Sequence, residues 1–431
     1  MASLKLAFLC QLCVLLIGTA SAAFYKGADI SWVSQQEKNG QSFFDSSGTK
    51  KDPFVLLKSY GVNAVRLRVW VNPSGGWCDG GDTLHKAQRA KAQGMAIMID
   101  FHYSDSWADP GQQNIPAAWK SHSLAQLNTD VYEHTYGILN YLKSNGISVA
   151  WVQVGNEINS GMMWPSGKVT NSNFANLASL TNNGYKASKA VFPNAPVIIH
   201  LANGYKTADF TWFFDGLKKA GGSFDVVGIS HYPSSSNWQT LNGQAETTLK
   251  TMISRYGKKV VVAEIGLSWN EPSASKSMLD DMFKRVKALG NNGIGIFYWE
   301  PQASPGWNHY QWGRVKNCKS SVRSLVNRIK QIPMNYEARM DGVPQSLARH
   351  HAELTYIPNK SSITLGLSRF INRLPSLPAV RELNELGLNP HAENYVSLLK
   401  RIPETILLCC KSVEATADAL GRLGDRGFKL L

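Results

Sequence analysis

Cysteine is scarce, and its placement excludes a disulfide framework as the main source of stability. Of the six cysteines, Cys10 and Cys13 lie in an N-terminal stretch that reads as a removable leader, and Cys409 and Cys410 are adjacent, a spacing at which partners rarely pair. A Cys78–Cys318 bridge would suit an oxidising compartment, although spacing alone leaves the connectivity open. No metal-ligand spacing occurs, so no metal is expected. Long hydrophobic runs are missing as well. The apolar centre from Leu6 to Ile17 is shorter than the roughly 20 residues a bilayer needs, and no membrane partner is expected. That centre follows Lys5 and precedes the small residues Ala20, Ser21 and Ala22. Residues 1–22 therefore read as a secretory signal peptide, and the mature chain as secreted and extracellular.

Three further absences narrow the function. The net charge of +14 divides unevenly, because 18 Lys+Arg against 10 Asp+Glu in residues 314–431 place +8 there and leave +6 for the first 313 residues. The main part is only mildly basic, and without a basic cluster interleaved with aromatics no nucleic-acid partner is expected. No glycine fingerprint follows the first strand, no phosphate loop occurs, and nothing resembles a Ser/His/Asp elbow, so no cofactor is expected. Tryptophan is absent from the last 119 residues, whereas all 13 lie at or before Trp312. Composition thus predicts a main domain over 23–332 and an atypical, helical extension of unknown role over 333–431.

What is present has a regular rhythm. Eight strand candidates lie around Lys26 to Ile30, Ala64 to Trp70, Ala96 to Phe101, Ala150 to Val154, Val197 to Leu201, Val226 to Ser230, Lys259 to Ala263 and Ile294 to Trp299. Most are continuous apolar runs, the pattern of strands covered on both faces. Helical patterns separate them, such as Asp82 to Gln93 closed by Gly94, and Ser277 to Leu289 closed by Gly290. This predicts an α/β protein built as a (β/α)8 barrel, with an open doubly wound sheet as the competing arrangement. The eighth helix must come from beyond Trp312. Ser320 to Ile332 can supply it, with Val322, Leu325, Val326 and Ile329 on one face and Pro333 ending the run.

In such barrels the active site is assembled at the carboxyl ends of the strands. Those positions hold Arg66, Arg68, His102, Asn156, Glu157, His200, His231, Tyr232, Glu264, Trp299 and Glu300. Glu157 after the fourth strand and Glu264 after the seventh would face each other across the mouth, as two carboxyl groups must to cleave a glycosidic bond. Arg66 could hold one of them ionised, Tyr232 could donate to it, and Asn156 could bind a sugar hydroxyl. Eight tryptophans, Trp107 and Trp299 among them, fall in or beside the loops after these strands and could serve as stacking platforms for sugar rings.

The segments GADISWVSQQE, GVNAVRLRVWVNP, IDFHYSDSWADPGQQNIPAAW, VGNEINSGMMWP, IIHLANG, ISHYP, VVVAEIG and FYWEP, in this order from about Phe24 to Trp312, resemble the endo-β-1,4-galactanases of glycoside hydrolase family 53. The resemblance implies a retaining (β/α)8 hydrolase acting on the β-1,4-galactan of arabinogalactan and pectin side chains, without cofactor and as a monomer. It implies Glu157 as acid/base and Glu264 as nucleophile, with Arg66, His102, Asn156, His200, Tyr232 and Trp299 around the cleaved sugar; Trp107 is expected to bind substrate as one of the stacking tryptophans. A barrel glycosidase acting on mannan or cellulose, and a non-catalytic carbohydrate-binding barrel, are the alternatives.

Overall fold

A computed structural model describes residues 24–304 and 307. The leader, the Ser320 to Ile332 helix and the extension over 333–431 lie outside the described residues. Eight parallel strands close a barrel: β1 (Tyr25–Asp29), β2 (Ala64–Val69), β3 (Ala96–Phe101), β4 (Trp151–Val154), β5 (Val197–Leu201), β6 (Val226–His231), β7 (Lys259–Ile265) and β8 (Gly293–Trp299). Each strand pairs with its sequence neighbours, and β1 pairs with β8 to complete the ring. The expected (β/α)8 architecture is therefore the observed one, and the open sheet is excluded.

Helices fill the crossovers: α1 (Pro53–Ser59), α2 (Gly80–Ala92), α3 (Leu124–Ser144), α4 (Ala175–Val191), α5 (Thr207–Lys219), α6 (Trp238–Tyr256) and α7 (Pro272–Ala288). Their starts follow local chemistry. Asp52 accepts from the amides of Phe54 and Val55 ahead of Pro53 in α1, and Ser123 and Gln126 form a reciprocal capping box on α3. Helix α7 begins five residues before the expected Ser277, because Pro272 supplies a preset φ at its first position. The expected stops hold, with Gly94 at φ +61° and Gly290 at φ +61°.

Strand residues alternate between two packing layers. Val65, Leu67, Ile97, Ile99, Val152, Val260 and Val262 pack outward against the helices, while Met98, Trp151, Ile198, Val261, Ala263 and Phe297 fill the barrel interior. Above that apolar layer the inward positions turn polar: Asp29, Arg66, Asp100, Gln153, His200 and Ser230 are all buried. Each such group must find a partner within the barrel, since water does not reach it.

One break in the alternation decides where Glu264 points. Val260 and Val262 face outward, so strict period-two alternation would put residue 264 outside too. Instead the β6–β7 register advances one residue on β6 and two on β7, from Ile229↔Val262 to Ser230↔Glu264. Ala263 is the extra residue of a bulge, and the bulge re-aims Glu264 toward the barrel mouth. Strand β7 also runs two residues past the expected Ala263, so Glu264 lies inside the strand rather than after it.

Candidate active site

The carboxyl ends of the strands surround a cavity of about 450 Å³, lined by Arg66, His102, Trp107, Asn156, Glu157, Tyr232, Glu264 and Trp299 among others. These positions are scattered over 234 residues of sequence, from Arg66 to Trp299, and barrel closure gathers them. Glu264 is held by β7. Glu157 sits in the sharp exit of β4, where Gly155 has φ +83° and Glu157 itself φ +49°. Gly155 is required there, because a Cβ would stand 2.7 Å from the Ile158 side chain in a backbone conformation that L residues rarely adopt.

Arg66 organises the floor. Its Nη1 lies 2.7 Å from Asp29 and 2.9 Å from Glu264, its Nη2 2.9 Å from Asp100 and 2.8 Å from Asn156 Oδ1, and its Nε 3.1 Å from Gln153 Oε1. The contacts to Asp29, Asn156 and Gln153 are hydrogen bonds, and those to Asp100 and Glu264 are ion pairs. Burial opposes its charge, but Asp100, Glu264 and Asp29 more than offset that and raise its pKa. Tyr232 donates its hydroxyl to Glu264 Oε2 at 2.7 Å.

The two glutamates differ in their surroundings. Burial, and then the charge of Glu264, push the Glu157 carboxyl up to about 8. Glu264 is also raised by burial, while Arg66 and the Tyr232 hydroxyl pull it down. Of the coupled pair, Glu264 has the cation and the directed donor, so it ionises first and Glu157 keeps the proton. A pair so divided can supply a proton to one atom and negative charge to another.

His102 and His200 are both held neutral by burial. His102 lines the cavity, yet its Nε2 bonds Asp100 at 2.9 Å and its Nδ1 accepts from the Ala108 amide at 3.3 Å. His200 departs from expectation. It is fully buried beneath the cavity rather than along it, with Nδ1 2.9 Å from Asn156 Oδ1 and Nε2 2.9 Å from Ser230 Oγ. It sits one layer below the rim, under two residues that line the cavity, Asn156 and Ser230.

The aromatic wall is only partly the expected one. Trp107 and Trp299 line the cavity with ring centroids 6.0 Å apart, and Trp32 joins them at 5.6 Å and 5.2 Å. Trp70 packs behind Trp107 at 5.2 Å, and the Arg68 guanidinium stands 4.2 Å from the Trp107 ring and 4.6 Å from that of Trp70. Trp164 instead packs under Lys168 at 4.5 Å. Trp32, Asp109 and Ser230 were missed by reading strand ends. The signals were their places in GADISW, just past β1, in the SDSWADP loop after β3, and at the penultimate residue of β6. Cys78 is buried with a free thiol 3.5 Å from Arg68, and Cys318 lies outside the described residues.

The sequence profile of Glycosyl hydrolase family 53 matches residues 25–332, which is most of the chain. The chain belongs to this family. The family match runs past Trp312, where the similarity of individual segments ends, and reaches the end of the expected eighth helix. A probable arabinogalactan endo-beta-1,4-galactanase A of Neosartorya fischeri is 36% identical over 309 residues, covering 66% of this chain and 85% of that protein. The arabinogalactan endo-beta-1,4-galactanase of Thermothelomyces thermophilus is 33% identical over 311 residues, covering 67% and 91%. Among solved structures, that of a fungal beta-1,4-galactanase superposes with a TM-score of 0.65 at 30% identity, covering 72% of this chain and 99% of the other. The Ignisphaera aggregans GH53 catalytic domain gives 0.63 at 30% identity, covering 72% and 96%. As a family 53 member the protein is a glycoside hydrolase, and among its described residues no helix is long and apolar enough to cross a membrane.

Proposed function

We propose that this hydrolase is a secreted, extracellular and monomeric endo-β-1,4-galactanase that cleaves the galactan of arabinogalactan and pectin side chains with retention. The observation that carries the reading is a pair of carboxyl groups lining one cavity, of which Glu264 alone has the Arg66 guanidinium at 2.9 Å and the Tyr232 hydroxyl at 2.7 Å. The carboxyl of Glu157 reaches Ser230, whose register partner on the next strand is Glu264.

Mechanistically, the Glu264 carboxylate attacks the anomeric carbon while the bond to the leaving sugar breaks. Glu157 gives its proton to the departing oxygen. The resulting glycosyl ester on Glu264 is opened by water, whose proton returns to Glu157 as the Glu264 carboxylate leaves. Arg66 and Tyr232 hold Glu264 ionised before attack. Asn156 lines the same cavity, and Trp299 and Trp107 serve there as platforms for the flat CH surfaces of galactose units, with the buried Trp32 packed against both.

Replacing Glu157 or Glu264 with Gln is expected to lower turnover on galactan by about 10²–10⁴-fold or more, with an unchanged thermal transition. Reducing-end release from galactan, mannan and cellulose in parallel checks both the mechanism and the polysaccharide. Undiminished activity in either variant overturns the mechanism, and a preference for mannan or cellulose overturns the substrate.

A further inference from the structure

The loop that leaves β3 carries Trp107, Ala108, Asp109 and Pro110 along the cavity and then returns past the exit of β4. Where the two meet stands Gln113, which is only 2% exposed. Its carboxamide nitrogen faces three backbone carbonyls: Asn156 at 2.9 Å, Asp109 at 3.2 Å and Glu157 at 3.4 Å. Three acceptors around one terminal atom identify that atom as the nitrogen, since an amide oxygen there would meet only lone pairs. The backbone carbonyl of Gln113 accepts from the Trp164 backbone amide at 2.6 Å, beyond the turn that follows Glu157.

These contacts converge on a backbone that needs holding. Glu157 is in the left-handed region at φ +49°, a conformation that a side-chain-bearing residue keeps only where its surroundings impose it. Asn156 Nδ2 closes the same junction from the other side by donating to the Ala108 carbonyl at 2.8 Å. The loop is itself stiff: the Asp105 carboxylate accepts from the amides of Asn72 and Ala117 at 2.9 and 2.8 Å, and that of Asp109 accepts from the Gly111 amide at 2.7 Å. A stiff loop is thus fastened to the exit of β4 from both sides, and Gln113 is the loop side chain that bonds the Asn156 and Glu157 carbonyls.

We infer that Gln113 is a positioning residue for proton donation: by bonding the carbonyls of Asn156 and Glu157 it fixes the left-handed turn that aims the Glu157 carboxyl at the leaving oxygen. The inference rests on the reading of Glu157 as proton donor. Gln113 touches no reacting atom, and its effect falls on the step that needs a proton.

Leaving-group dependence tests this. Gln113→Met keeps length and volume without the donors, and Gln113→Asn keeps the amide but withdraws it from Glu157. For each variant and for Glu157→Gln, kcat/KM is measured on β-1,4-galactan and on a dinitrophenyl β-1,4-galactobioside, whose phenolate departs without a proton. Gln113→Met is expected to lose about 10–100-fold on galactan, as misplacement of a catalytic group does, and less than about threefold on the dinitrophenyl substrate. Equal losses on both substrates, or no loss on galactan, overturn the inference. If neither Gln113 variant folds, the amide is structural and the inference falls. Should Glu157→Gln fail to spare the dinitrophenyl substrate, the reading of Glu157 is overturned and this inference with it, whereas sparing by Glu157→Gln but not by Gln113→Met sinks the inference alone.

Discussion

At the scale of single residues, one cation carries much of the arrangement. Arg66 is surrounded by Asp29, Asp100 and Glu264, and removing it would leave three buried carboxylates without a counter-ion. Arg66→Met is therefore expected to cost about 3–5 kcal/mol in chemical denaturation, in addition to lost turnover. Tyr232→Phe is a milder change. It removes one hydrogen bond to a charged acceptor, a loss of about 1.5–3 kcal/mol, or roughly tenfold to 100-fold in kcat/KM. The pH profile supplies a sign. Glu264 must be ionised and Glu157 protonated, so activity is lost below the former's titration and above the latter's, which burial and the Glu264 charge push up to about 8. Without the Tyr232 hydroxyl the Glu264 carboxyl titrates higher, so the acid limb of kcat/KM against pH is expected to move upward in Tyr232→Phe while the basic limb stays. An unshifted acid limb would contradict the role given to that hydroxyl.

At the scale of elements, the two strand exits solve different problems. Strand β7 delivers Glu264 through a bulge at Ala263, and β4 delivers Glu157 through a left-handed turn opened by Gly155. Gly155→Ala places a methyl group 2.7 Å from Ile158 at φ +83°, and is expected to destabilise the fold by about 1–3 kcal/mol while lowering kcat on galactan more than it raises KM. Thermal melts and initial rates on one preparation measure both. Strand locations were readable because both-face burial produces unbroken apolar runs, and Ala96–Phe101 and Val197–Leu201 are seen where expected. The bulge was not readable, because Val-Val-Val-Ala-Glu-Ile carries no mark of where a ladder slips by one residue.

At the scale of the whole molecule, the barrel closes between β1 and β8, and the outward side chains Ala28 and Ile296 at that seam belong to the helix-facing packing layer. The family match ends at Ile332, so a chain ending there is expected to keep the galactan activity of the full chain. A chain ending at Trp312 lacks the last 20 residues of that match and is expected to lose its cooperative melt. Circular dichroism and reducing-end assays on the two truncations check this, and activity retained in the shorter chain would show that residues 313–332 are dispensable.

The sequence by itself determined the (β/α)8 class and the acids at the rim, because strand hydrophobicity and polar strand ends are local properties of a chain whose closed sheet admits few arrangements. Only the tertiary structure decided which way each rim residue faces. A one-residue slip in β7 turns Glu264 inward, and one layer of depth converts His200 from a cavity residue into a brace under Asn156 and Ser230. Trp32 enters the aromatic wall only because β1 and β8 are neighbours. Facing and depth depend on register between strands far apart in sequence, and no run of adjacent residues encodes that register.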